Sequence, residues 1–482
     1  MNFISISFAL LYLLVLTSRF YFVSKDQKGI YLNTLLISSL IFYGWHVPNH
    51  LILLSSIVFI HYYAAIGIDR FRLNQVMTKI ILIAAVAVSL LVLAYFKYSG
   101  FLVDLINSLA NKKQSLSTYQ VILPVAISFY CFQSISYSVD VFRNHVAVEK
   151  RFSRLLLYIG FFPQLVAGPI VRASQLLYQF NRSRKPRLSV FLFGTYLIIR
   201  GFFLKMVVAD NLGIVVDKYW PLLSNETTSF VVIGSIAVFF SVQLLCDFMA
   251  YTDIARGIAY QLGFRLPVNF NAPFIAITFK DFWHRWHITL STWFRDYVFI
   301  PLGGSHQPLI KSLVALLIVF LLSGLWHGAN LTFLAWGLLN VLFLIMELIS
   351  FKLMTKYWSL SQTQTKTKIL AFLTKTVWFV FVQLGWIGSL IFFRSQNIAE
   401  ANSILANLMS FNSSATIISD KPFFITWVFC VPILLLHIRT LATELGVTKP
   451  TKTAERVFYA GVMLALTAML YVSTRSFIYF QF

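Results

Sequence analysis

The amino-acid sequence predicts an all-α fold, a polytopic integral membrane protein, and three observations carry that expectation. Hydrophobic residues make up 58% of the 482 residues, Phe alone occurs 48 times, and the mean hydropathy is +0.76. The apolar residues come in long runs, not at the spacing of a single helix face. Charged residues amount to only 12%, and the basic ones gather in short clusters between the runs. Helices satisfy their own backbone hydrogen bonds, so a chain of this composition can cross lipid as helices.

The elements follow in order. Residues 3–17 form the first run, which has neither a basic n-region nor a small-residue cleavage site and so reads as a span. Runs at 30–45 and 51–68 come next, flanked by Arg19, Lys25 and Lys28, then by Arg70, Arg72 and Lys79. Further runs lie at 80–96, 229–246, 312–322 and 331–346. With short polar interruptions, most of these reach the roughly 20 residues that a bilayer crossing needs. The clusters at Lys150–Arg154, "NRSRKPR" (181–187), Lys352–Lys368 and Arg439–Arg456 are expected inside by the positive-inside rule. That assignment leaves residues 48–50, 210–228, 395–421 and both termini outside. Lys112 and Lys113 fit it poorly.

The segment "LLLYIGFFPQLVAGPIV" (155–171) is apolar but has basic clusters on both sides. Pro163 and Gly168-Pro169 interrupt a helix there, so a re-entrant hairpin is expected, with two kinked crossing helices as the alternative. No internal repeat and no long linker is evident, so residues 1–482 read as one integral membrane domain. The net charge of +22 reflects cytoplasmic loops and an affinity for anionic head groups or substrates, not nucleic-acid binding. Cys131, Cys246 and Cys430 are far apart in apolar runs and suggest neither disulfides nor a metal cluster.

One stretch concentrates polarity: "WHRWHITLSTWFRDY" (283–297). Drawn as a helix, it places His284, His287, Ser291 and Arg295 on one face, with Asp281 and Arg285 as an i,i+4 pair. An interfacial anchor accounts for the Trp and Arg residues. It accounts poorly for two aligned imidazoles. No third ligand follows at a recognisable spacing, so no metal is expected. Downstream, "FLLSGLWHGANLTFLAWG" (320–337) holds His327 in an otherwise apolar run, with Gly324 and Gly328 spaced to admit a neighbouring backbone. A neutral imidazole there can take a proton from a hydroxyl and return it.

These two motifs resemble the membrane-bound O-acyltransferase family, in particular the membrane subunits of bacterial alginate and polysaccharide O-acetyltransferases. So do "ISFYCFQSISYSVDVFR" (127–143), "PQLVAGPIVR" (163–172), "DFMAYTDIARGIAYQLGFRLPVNFNAPF" (247–274) and the closing "SFIYFQF". The resemblance implies roughly eleven crossings plus re-entrant segments around a central funnel or tunnel, in a bacterial cytoplasmic (inner) membrane. It also implies acyl-CoA (acetyl-CoA) or an acyl-carrier thioester as donor substrate with no bound cofactor, and an extracytoplasmic acetyltransferase partner protein. Its two family histidines match His327 and His287; His284 does not carry over. His327 is then the general base, and His287 orients the thioester or donates to its carbonyl. Trp326 and Asn330 assist, and Trp286 and Ser291 line the substrate. Arg285 and Arg295 hold carrier phosphates or, alternatively, snorkel to lipid phosphates. Asp247 and Asp253 orient a His or pair with Arg256. Acyl transfer directly to a lipid or protein, and a polysaccharide or small-molecule transporter, remain the competing readings.

Overall fold

The computed structural model describes residues 3, 5–110, 123–181, 185–225, 228–358, 364–411, 421–449, 451–472, 475 and 477. Lys112, Lys113 and most of "SFIYFQF" lie outside them, as do residues 182–184 of the basic cluster and 359–363 between two helices. Every element is helical, with no β-strand among the described residues. Among the described residues ten helices are long and apolar enough to cross a membrane, near the expected number, so the chain is an all-α polytopic membrane protein. The described chain divides into two compact units, neither contiguous in sequence.

Unit 1 comprises residues 1–201, 251–267 and 453–460. Its helices are α1 (Ile6–Ser24), α2 (Lys28–Gly44), α3 (His50–Arg70), α4 (Gln75–Ala110), α5 (Ile127–Phe142), α6 (Phe152–Gly160) and most of α7 (Leu188–Phe203). Ser5 opens α1 by accepting a hydrogen bond from the Phe8 amide at 3.2 Å, satisfying one of the free donors of the first turn. Helix α6 has nine residues, about 14 Å of rise against a hydrocarbon core of about 30 Å. It cannot cross, and after Phe161 the chain makes one further short helix, Phe162–Leu165. Gln164 donates back to the Tyr158 carbonyl at 2.7 Å, and Tyr158 donates to the Val171 carbonyl at 2.8 Å. The non-helical backbone at 166–171 is nearly all buried in protein, as a re-entrant segment requires.

Two polar nodes brace this unit. His61 is fully buried, its ring nitrogens 2.7 Å from the hydroxyls of Ser138 and Ser89. Asp253 pairs with Arg200 at 2.7 Å and with Arg256 at 3.3 Å, which is the structural pairing expected for it.

Unit 2 comprises residues 202–250, 268–452 and 461–482. It holds most of α8 (Phe230–Gln261), the short α9 (Phe279–Arg285) and α10 (Ile288–Phe294), then α11 (Leu309–His327), α12 (Leu331–Trp358), α13 (Gln364–Arg394) and α14 (Val431–Glu444). Asp247 pairs not with an arginine but with Lys205, at 2.6 Å; Lys205 also meets Asp210 at 2.8 Å, and all three are buried. Sequence reading missed Lys205 because it lies 42 positions from Asp247 inside an apolar run. Helices α11 and α12 form a close hairpin. A Cβ on Gly324 would collide with the Phe333 carbonyl, and one on Gly337 with the Phe320 carbonyl. At Gly324 this is the close approach its spacing predicts; Gly328 lies past the end of α11, where a Cβ would meet the Phe333 ring and not a backbone.

Candidate active site

The polar stretch is not one helix. It breaks between Arg285 and Ile288, where His287 takes a left-handed backbone at φ 41°, ψ 52°. The alignment of His284 and His287 on one face is therefore lost: His284 is exposed and His287 is 2% exposed. A β-carbon in this backbone region is strained, and the conformation persists only where surrounding contacts over-determine it.

Those contacts come from a strap at 269–271. The Asn269 carbonyl accepts from the Ile288 amide at 2.9 Å. Its side-chain oxygen accepts from the Thr289 amide at 3.1 Å and the Thr289 hydroxyl at 2.8 Å. The Asn271 amide donates to the Arg285 carbonyl at 2.9 Å. Ser291 donates its hydroxyl to the Trp286 carbonyl at 3.2 Å, which the break has left without a helical partner. Upstream, Thr278 caps α9 by accepting from the Asp281 amide at 3.0 Å. The buried Glu347 carboxylate of α12 accepts from the amides of Phe279 and Lys280, where the helix dipole favours a negative group.

The His287 ring stands edge-on to Phe248 at 4.7 Å and to Trp326 at 5.8 Å. Burial pushes its pKa down to about 3, so the imidazole is neutral near pH 7. On the other side, Trp326 meets His327, the last residue of α11, at 4.8 Å. His327 is half-buried against Trp336 at 5.0 Å and Phe393 at 5.0 Å. One indole thus joins the two imidazoles. Trp286 is buried under Trp386 at 4.6 Å, and Trp386 in turn donates to the Ser241 hydroxyl at 3.0 Å. The indole N–H groups of Trp283 and Trp336 are buried with no hydrogen-bond partner among the described residues.

The remaining sequence-identified residues are held elsewhere. Arg285 bonds Asp281 at 3.0 Å and grips Glu444 of α14 through two bonds of 2.9 Å. Arg295 is 54% exposed and pairs with Asp296 at 2.7 Å. Asn330 donates to the Gln396 carbonyl at 2.8 Å and accepts from the Thr332 amide at 3.0 Å, fixing the loop after His327. Sequence reasoning missed Asn269, Phe248, Glu347 and Phe393. It also passed over Trp336, although "LAWG" stands in the quoted motif. Among the described residues, no group of three His, Cys, Asp or Glu is placed to hold a metal ion.

The fold and site define a class first: a polytopic membrane protein whose interior presents a neutral imidazole and a half-buried one at breaks between helices. The family model described as "MBOAT, membrane-bound O-acyltransferase family" matches residues 72–391. The chain is 33% identical over 415 residues to "Probable alginate O-acetylase AlgI" of Pseudomonas aeruginosa, covering 86% of this chain and 76% of that protein. It is 33% identical over 408 residues to "Peptidoglycan O-acetyltransferase" of Helicobacter pylori, covering 78% and 73%. Against "Teichoic acid D-alanyltransferase" of Bacillus subtilis it is 30% identical over 225 residues, covering 44% and 56%. The chain belongs to the membrane-bound O-acyltransferase family. It is a multi-pass bacterial inner-membrane protein, and the reaction of its family is acyl transfer within the membrane.

Proposed function

We propose that this protein takes an acyl group, most simply acetyl, from a cytoplasmic thioester and passes it across the membrane toward an extracytoplasmic glycan hydroxyl, through a partner protein. The contact chain His287–Trp326–His327 is the observation that carries this reading. His327 is the general base: it takes the proton of the accepting hydroxyl as that oxygen attacks the thioester carbonyl. The tetrahedral intermediate collapses with loss of the C–S bond, and the imidazolium returns its proton to the leaving thiolate. Neutral His287 donates a hydrogen bond to the carbonyl, where negative charge develops. Thioester carriers such as coenzyme A are anionic, which the basic cytoplasmic clusters favour. Glycan acceptors enter this reading through the alginate and peptidoglycan relatives. Its domain expectation, one functional unit over residues 1–482, goes with it.

Inside-out vesicles carrying the protein and its partner test the direction. Labelled acetyl thioester added to the outer bath, the cytoplasmic face, is expected to acetylate acceptor trapped in the lumen. Labelling that requires thioester in the lumen would overturn the proposal.

A further inference from the structure

Apart from the imidazole pair, unit 2 contains a cavity of about 860 Å³ between α13, α14 and the segment 274–277. This is at the upper end of small-molecule sites, far more than an acetyl group fills. Phe372, Lys375, Thr376 and Phe379 line one wall at spacings of three and four, a single face of α13. Cys430, Leu434, His437 and Leu441 line the other at the same spacing.

The polarity is confined to part of the lining, with Phe372, Ile438 and Leu441 beside it. Lys375, Thr376 and His437 are the polar members of these walls, and Trp427 and Val431 lie at the far end of the α14 wall. His437 is buried, stacked on Phe274 at 5.2 Å, with its ring nitrogen donating to the Ile433 carbonyl at 2.8 Å. Lys375 is exposed. The positive-inside rule puts this polar part on the cytoplasmic side, because Lys366 and Lys368 precede it and Lys449 and Lys452 follow α14. From Trp427 to Leu441 the wall rises about 21 Å, the depth of one leaflet with its head groups. An amphiphile with a negative head and an apolar tail matches the charge, the apolar lining and the length.

We propose that this groove binds one anionic phospholipid of the cytoplasmic leaflet, its phosphate at Lys375 and an acyl chain along α13 and α14. The site is joined to the catalytic region through covalent neighbours. Residues 274–277 lead directly into α9, Gln383 of α13 donates to the Ala276 carbonyl at 3.1 Å, and Glu444 of α14 grips Arg285. The lipid therefore braces the strap and short helices that hold His287.

Native mass spectrometry of the purified full chain tests this, with phosphatidylglycerol as probe and phosphatidylcholine as competitor. The wild type is expected to retain one phosphatidylglycerol through detergent exchange. Lys375→Glu, at an exposed position, should lower the preference for phosphatidylglycerol about tenfold, and Leu434→Trp, which fills the groove, should abolish retention. Size-exclusion elution as a single peak shows that each variant is folded. Cys430, half-exposed while Cys131 and Cys246 are buried, is an internal reporter. Its alkylation by N-ethylmaleimide should slow in phosphatidylglycerol nanodiscs relative to phosphatidylcholine nanodiscs. Retention by both folded variants equal to wild type, or protection of Cys430 by soluble glycerol phosphate alone, would overturn the proposal.

Discussion

His61 in unit 1 and His287 in unit 2 are both buried imidazoles in a membrane protein, yet they are built differently. His61 lies within the unbroken helix α3, and each ring nitrogen meets a serine hydroxyl at 2.7 Å. His287 lies where the chain leaves one seven-residue helix and enters another, its backbone left-handed and its ring among Phe248, Phe270 and Trp326. At His61 the surroundings complete the ring's hydrogen bonds and ask nothing further of it. At His287 they spend five hydrogen bonds on holding the backbone around it, from Asn269, Asn271 and Ser291. Strain maintained in this way points to function, whereas a satisfied node points to stability.

Substitutions can break that contrast. The largest expected effect is at His327: replacing it with Ala should lower acyl transfer by about two to four orders of magnitude while the protein still inserts and accumulates. Near-normal transfer by a folded His327→Ala protein would sink the base assignment. At His287, Asn tolerates a left-handed backbone but lacks the imidazole. His287→Asn should therefore keep the melting temperature yet lose about a hundredfold in rate, in the range found when one oxyanion donor is removed. His287→Val should in addition destabilise by about 1–2 kcal/mol through the β-branched clash. Equal melting temperatures for the two variants would remove the backbone argument.

The reverse pattern is expected at His61. His61→Ala leaves the Ser89 and Ser138 hydroxyls buried without their partner and should cost about 1–3 kcal/mol, read as a lower melting temperature. Acyl transfer at a permissive temperature should stay near wild type; a loss matching His327→Ala would erase the distinction between the two regions.

A smaller effect concerns access. With the three native cysteines replaced, a cysteine at Asn330 should react with an impermeant thiol reagent added from outside, and one at Ser291 with reagent from inside. The opposite sidedness would reverse the proposed direction of transfer. A further effect is on pH, read only under acid conditions. Burial holds the His287 pKa at about 3, below its ordinary 6.5, so the folded state favours the neutral ring. Below pH 6.5 the unfolded chain binds the extra proton first, so this contribution is full above that pH and shrinks as pH falls from 6.5 toward 3. Replacing His287 with Asn should flatten the stability curve over that window; an unchanged slope would contradict the depressed pKa.

Much of this molecule was legible in the sequence because membrane insertion is read locally. An apolar run such as 312–322 must become helix wherever it lies in lipid, and Pro163 with Gly168-Pro169 interrupts helix whatever its neighbours. The two histidine motifs stood out for the same reason: polar residues in an apolar setting demand an explanation from their immediate surroundings. The break at His287 was not legible. Nothing in "HRWHIT" forbids a continuous helix, and the groups that stabilise the break arrive from Asn269, 18 positions upstream, while Glu347 caps α9 from 68 positions downstream of Phe279. The partnership of His287 and His327 through Trp326 likewise depends on which helix faces which. Sequence by itself determined the helical membrane class, the order of the spans and the residue types able to move a proton. Tertiary structure alone decided which imidazole is strained, which arginine is tied to a carboxylate and where the groove between α13 and α14 opens, because hydrogen bonds and packing between distant segments set these, and no local pattern encodes them.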